Sequence, residues 1–83
     1  LGTGRQRIAD YLLRLVAPKD SGEAAFSLPA SKSTIAAHLG VTPEHFSRLL
    51  HDMVDNGLLT VNAKNIRIPR LEKIKAIVSG DDV

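Results

Sequence analysis

Glu44, Ser47, Arg48, His51 and Asp55 fall within one twelve-residue run of the chain. A carboxylate, a hydroxyl, a guanidinium and an imidazole so close together could serve acyl transfer, metal binding or the reading of hydrogen-bonding edges. Spacing decides among these. Ser47, His51 and Asp55 have the inventory of a catalytic triad, but at four-residue intervals they stack along one helix face instead of converging on a substrate. No oxyanion-forming loop accompanies them, so no catalytic residue is expected. His38, His45 and His51 include no pair at the four-residue interval of helical histidine ligands, and the chain has no cysteine, so no metal site is expected either. Edge reading remains. Arginine can donate two parallel hydrogen bonds to guanine, a carboxylate can accept from a cytosine amino group, and serine can approach a base edge or a thymine methyl.

These residues need a helix to aim them. On a wheel of about 100° per residue with Phe46 at zero, Leu49, Leu50, Met53 and Val54 lie within about 80° and form one apolar stripe. Glu44, Ser47, Arg48, His51 and Asp55 share an opposite arc of about 100°, left open for recognition. Thr42 suits the N-cap, Pro43 the first helical position and Asn56-Gly57 the stop, which predicts a helix over 43–56. A shorter helix precedes it, capped by Ser31 or Ser33 and burying Ile35, Ala36 and Leu39. Its small residues Ala36 and Ala37 permit close approach to the second helix, and Gly40 permits the sharp turn between them. Two helices joined by a three-residue turn containing glycine form a helix-turn-helix, whose second helix is presented to a DNA major groove.

The remainder reads as support. Leu1-Gly2-Thr3-Gly4 has no core pattern and is expected to fray. From Arg5, Ile8, Leu12, Leu15 and Val16 repeat at helical spacing, and Pro18 with the polar run after it ends that helix. Ala25 to Leu28 alternates as a short edge strand cut by Pro29. After Gly57, the runs 58–62 and 65–69 alternate around Ala63-Lys64 as a two-stranded hairpin, a wing. Leu71, Ile74 and Val78 then mark a short closing helix, followed by an Asp81-Asp82-Val83 tail. The fold expected is a small, mainly helical α+β winged helix-turn-helix, with 1–83 as one domain.

Composition bounds the alternatives. Eighty-three residues with 43% hydrophobic content and three aromatics (Tyr11, Phe26, Phe46) support one aliphatic core and no large catalytic cavity. A formal charge of +2, spread over single lysines and arginines, is weak evidence for a nucleic-acid partner. Cysteine-free composition excludes disulfides and fits an intracellular protein. No apolar run reaches membrane-spanning length and no signal-peptide pattern opens the chain, so a soluble, cytoplasmic protein with no membrane partner is expected.

The run Ser31 to Gly40, then Thr42-Pro43-Glu44-His45-Phe46-Ser47-Arg48-Leu49-Leu50, then Asn56-Gly57-Leu58-Leu59 leading to Ile66-Arg67-Ile68, resembles the C-terminal winged-helix domain of the Crp/Fnr family of bacterial transcription regulators. The resemblance extends from about Arg5 to Val78. Glu44-x-x-Ser47-Arg48 is similar to the Fnr branch, and the Thr-Pro-Glu-His-Phe-Ser-Arg wording to its nitric-oxide-responsive, denitrification-linked regulators. The cyclic-AMP receptor branch differs: it usually has glycine at the position of Ser47 and a DNA-contacting arginine at that of Pro43.

The resemblance implies that Glu44, Ser47 and Arg48 read bases in a TTGAT-like half-site, one half of an inverted repeat on double-stranded DNA bound by a homodimer. It places Ser31, Ser33, Thr42, His45 and Asn62 near phosphates, where such groups fix register without reading sequence. Lys64 at the wing tip is a further phosphate candidate from its chemistry alone. RNA polymerase is a second candidate partner. The resemblance also implies an output domain excised from a longer regulator, without the sensory β-barrel and long dimerisation helix. No cofactor is then expected on these residues, since the effector, haem in the nitric-oxide branch, belongs to the sensory part, and the 83-residue chain is expected to be monomeric. The competing reading is a winged-helix module that binds protein, which would call for an apolar or acidic exposed face on the second helix.

Overall fold

A computed structural model describes residues 2–80, so the expected tail at 81–83 lies outside the described residues. In chain order the elements are α1 (Gly4–Arg14), β1 (Ala24–Ser27), α2 (Lys32–His38), α3 (Pro43–Asp55), β2 (Thr60–Asn62), β3 (Asn65–Ile68) and α4 (Leu71–Ser79).

Of the four residues expected to fray, Leu1 lies outside the described residues, while Thr3 and Gly4 form the cap and the first position of α1. Thr3 caps α1 through a reciprocal pair: the Gln6 backbone N–H donates to Thr3 Oγ1 at 3.0 Å, and the Thr3 backbone N–H donates to Gln6 Oε1 at 3.1 Å. Each bond satisfies an amide that the first helical turn would leave unpaired. Gly4 then brings the start of α1 against α3, where a Cβ would stand 2.9 Å from Leu49 Cδ1. α1 buries Ile8, Ala9 and Leu12, while Leu15 and Val16, expected in the core, lie past the helix end and are half-buried. Helical spacing counted them as if the helix continued; it stops at Arg14, with Leu15 as C-cap.

Ser31, and not Ser33, caps α2, its Oγ accepting from the Thr34 N–H at 3.2 Å. Ile35 and Ala36 are buried, whereas Ala37 is exposed and takes no part in the approach to α3. Gly40 adopts a φ of +75°, and the Arg7 guanidinium donates to the Leu39 carbonyl at 3.5 Å, tying α1 to the end of α2. α3 opens with the His45 N–H donating to Thr42 Oγ1 at 3.1 Å. It closes one residue earlier than expected, with Gly57 at a φ of +73°. The Leu58 and Gly57 amides return to the Met53 and Val54 carbonyls, a paired closure that only a left-handed residue at 57 permits without strain.

The strands form one antiparallel sheet in the order β1-β3-β2. The wing is therefore extended by β1, which occupies 24–27 instead of 25–28 and pairs Ala24 with Ile68 and Phe26 with Ile66. Val61 opposes Ile66 on the other side. Ala24, Phe26, Val61, Ile66 and Ile68 share the inner face. Ala25, Ser27, Thr60, Asn62, Asn65 and Arg67 are exposed on the outer one. α4 packs chiefly on α1, with Leu71, Ile74 and Ile77 buried; Val78, expected in the core, is half-buried. Phe46, Ile8, Ile35, Met53, Leu59 and Ile74 meet in one core, and no polar or charged residue is buried among the described residues.

Candidate nucleic-acid interface

The apolar stripe of α3 is consumed by this core: Phe46, Leu50 and Met53 are at most 4% exposed. Burial of that stripe fixes the rotation of the helix, and everything opposite it faces outward. Glu44, Ser47, Arg48, His51 and Asp55 are all exposed. An ion pair and an imidazole–carboxylate contact run along this face. Arg48 Nη2 lies 3.1 Å from Glu44 Oε1, with side chains 65% and 84% exposed, and His51 Nε2 lies 3.4 Å from Asp55 Oδ2. Ser47, the third member of the expected base-reading set, is open on the same side. Ser47, His51 and Asp55 follow one another at four-residue intervals along the exposed surface of the helix.

The residues expected near phosphates lie at the starts of α2 and α3 and on the wing. Ser31 and Thr42 already accept amide hydrogen bonds as caps, so α2 and α3 each begin with ordered backbone donors next to a hydroxyl. Ser33 is exposed on the first turn of α2. His45 is exposed and stands near the start of α1, its Nε2 being 3.5 Å from where a Cβ on Gly4 would lie. Asn62 and Lys64 are exposed on the wing. The wing tip is held from behind, because the Leu28 N–H donates to the Lys64 carbonyl at 2.8 Å and Ser27 Oγ donates to Asn65 Oδ1 at 2.7 Å.

Sequence reasoning did not single out Lys32 and Val61, which with Ser47, Leu50, His51 and Val54 line a groove between α3 and the wing. The wheel placed His51 on the open face of α3 but could not show what stands opposite, since that depends on contacts between distant segments. Among the described residues, no three His, Cys, Asp or Glu side chains come together as metal ligands, and no helix is long and apolar enough to cross a membrane.

This architecture recurs in solved regulators. The CO-dependent transcription factor CooA from Carboxydothermus hydrogenoformans is similar at 28% identity and a TM-score of 0.75, over 89% of this chain and 36% of that one. FixK2 from Bradyrhizobium japonicum is similar at 28% identity and a TM-score of 0.72, over 88% and 37%. DNR from Pseudomonas aeruginosa is similar at 31% identity and a TM-score of 0.71, over 87% and 32%. The chain thus spans about a third of the length of these relatives. No curated protein matches it in sequence. Residues 6–77 match the Crp-like helix-turn-helix domain, and the chain belongs to that family.

Proposed function

We propose that this domain is the DNA-binding output module of a transcription regulator, with α3 in the major groove of a TTGAT-like half-site. One observation carries the reading: burial of the apolar stripe of α3 leaves Glu44, Ser47 and Arg48 together on an open, mixed polar face. That mixture matches the donors and acceptors of base edges and lacks the apolar or acidic character a protein-docking face would need. Glu44, Ser47 and Arg48 read bases. Ser31, Ser33, Thr42, His45, Asn62 and Lys64 meet phosphates and set register.

In the longer regulator the domain works as a homodimer on an inverted repeat, with RNA polymerase as a further partner. Its effector is held by residues outside 1–83. The 83-residue chain by itself is monomeric and binds DNA weakly, since two half-sites multiply affinity only when their readers are joined. Selection from random duplex DNA with the chain fused to a dimerising coiled coil tests the reading. An inverted TTGAT-like repeat is the expected outcome; a different enriched motif would overturn the half-site, and no enrichment would overturn specific readout. Sedimentation that shows a stable dimer of the unfused chain at micromolar concentration would overturn the monomer assignment.

A further inference from the structure

The chain has three asparagines, Asn56, Asn62 and Asn65, and of these Asn56 alone is followed by glycine. That order has a chemistry of its own. The backbone nitrogen of the following residue attacks the asparagine side-chain amide carbon, closing a five-membered succinimide and releasing ammonia, and glycine leaves that nitrogen unhindered. Water then opens the ring at one carbonyl or the other. One product is aspartate. The other is isoaspartate, in which the main chain runs through the side chain and is longer by one carbon.

No side chain shields this site. Asn56 and Gly57 are both exposed, and a Cβ on Gly57 would meet no atom within 4 Å. The backbone is what holds the reaction back. Asn56 has a φ of −85° and a ψ of 4°. Ring closure needs Cβ and the Gly57 nitrogen eclipsed about the Cα–C bond, which on a tetrahedral Cα requires a ψ of about −120°. That value lies outside the regions an L-residue ordinarily occupies. Rotation towards it turns the Gly57 N–H away from the Val54 carbonyl, to which it donates at 3.0 Å, and pulls the Leu58 N–H from the Met53 carbonyl at 2.9 Å. Leu58 and Leu59 follow at 7% and 1% exposure, so core packing resists the rotation as well.

We propose that Asn56-Gly57 is a latent modification site, which forms succinimide only when the junction at 56–59 between α3 and the wing opens, and whose isoaspartate product keeps that junction from closing as before. The added carbon displaces the two amides that meet Met53 and Val54. The new carboxylate also stands at the negative end of α3, whose last turn already holds Asp52 and Asp55 and has no basic residue.

The test incubates the 83-residue chain at mildly alkaline pH, with and without unfolding concentrations of urea, and follows amide hydrolysis at each asparagine by peptide mass spectrometry. In urea, Asn56 is expected to react ahead of Asn62 and Asn65. Without urea, its rate is expected to fall by about tenfold or more, because only the opened junction reacts. Leu58→Ala, which loosens the junction, is expected to quicken the reaction more than Ile74→Ala, which loosens the core at α4. The isoaspartate form, isolated from aged protein by reversed-phase chromatography and refolded, is expected to have a lower urea midpoint than Asn56→Asp, which carries the same charge on an unaltered backbone.

Equal rates with and without urea, or no reaction at Asn56 in urea, would overturn the latent site. Acceleration that follows the loss of global stability in Leu58→Ala and Ile74→Ala would overturn opening at the junction. Equal midpoints for the isoaspartate form and Asn56→Asp would overturn the effect assigned to the added carbon.

Discussion

Arg48 and Glu44 are bound to each other across one turn of α3, at 3.1 Å, on its most exposed face. The order, acid four residues before base, is the favourable one along a helix, and such an exposed pair contributes about 0.2 to 0.5 kcal/mol. A bidentate arginine contact to guanine is worth about 1 to 3 kcal/mol of discrimination. The intrahelical pair is therefore weak enough to be exchanged for a base, yet it keeps the guanidinium over the open face in the unbound protein.

Arg48→Ala is expected to cost about 1 to 3 kcal/mol on the selected site and to relax preference at one guanine, with little change on scrambled DNA. Binding titrations against single-base variants of the site measure both effects. Equal loss on every duplex would show that Arg48 meets phosphate instead.

Lys64→Ala is expected to behave in the opposite way. The Lys64 carbonyl anchors the wing by accepting from the Leu28 N–H, and alanine preserves that bond, so only the side-chain charge is lost. Affinity should fall alike for all sequences and the salt slope should drop by about one. A change seen only on the selected site would contradict a phosphate role.

Thr3→Ala removes the reciprocal cap on α1 while leaving the DNA-facing surface of α3 untouched. A loss of about 1 kcal/mol is expected, lowering the melting temperature by roughly 4 to 8 °C in a domain of this size. Thermal denaturation followed by circular dichroism is the measurement, and an unchanged melting temperature would mean that the cap is not formed in solution.

Ala63 is the only described non-glycine residue at positive φ, +55°, in the two-residue wing turn. An L-residue is strained there by about 1 to 2 kcal/mol, of which glycine recovers the part not spent on the entropy of a more flexible unfolded chain. Ala63→Gly is expected to stabilise the domain by several tenths of a kcal/mol to about 1 kcal/mol, read as a shift in the urea midpoint at constant slope.

Phe46→Ala empties the centre of the core, where the ring is 1% exposed. The usual cost of about 3 to 5 kcal/mol is a large share of a small domain's total stability. A mostly unfolded chain at 37 °C is the expected result, checked by urea denaturation. A loss below 1 kcal/mol would mean that α3 is not packed as described.

The sequence by itself determined the parts that depend on neighbours along the chain. Thr42, Pro43 and Gly57 delimit α3 because caps and stops act within one turn, and the apolar period from Phe46 to Val54 fixes which side of the helix is left for Glu44, Ser47 and Arg48. A cap can still be overlooked where no apolar pattern draws attention to it, as at Thr3 and Gln6. Tertiary structure alone decided the partners. Alternation marked 25–28 as a strand but could not reveal that Ala24 to Ser27 pairs with β3, because strand pairing is set by contacts some forty residues apart. Ile77 displaced Val78 from the core of α4 because α1, on which α4 chiefly packs, and not the helix's own period, defines the inward direction. Lys32, His51 and Val61 line one groove for the same reason: three elements that share no local signal are brought together by the burial of a single hydrophobic core.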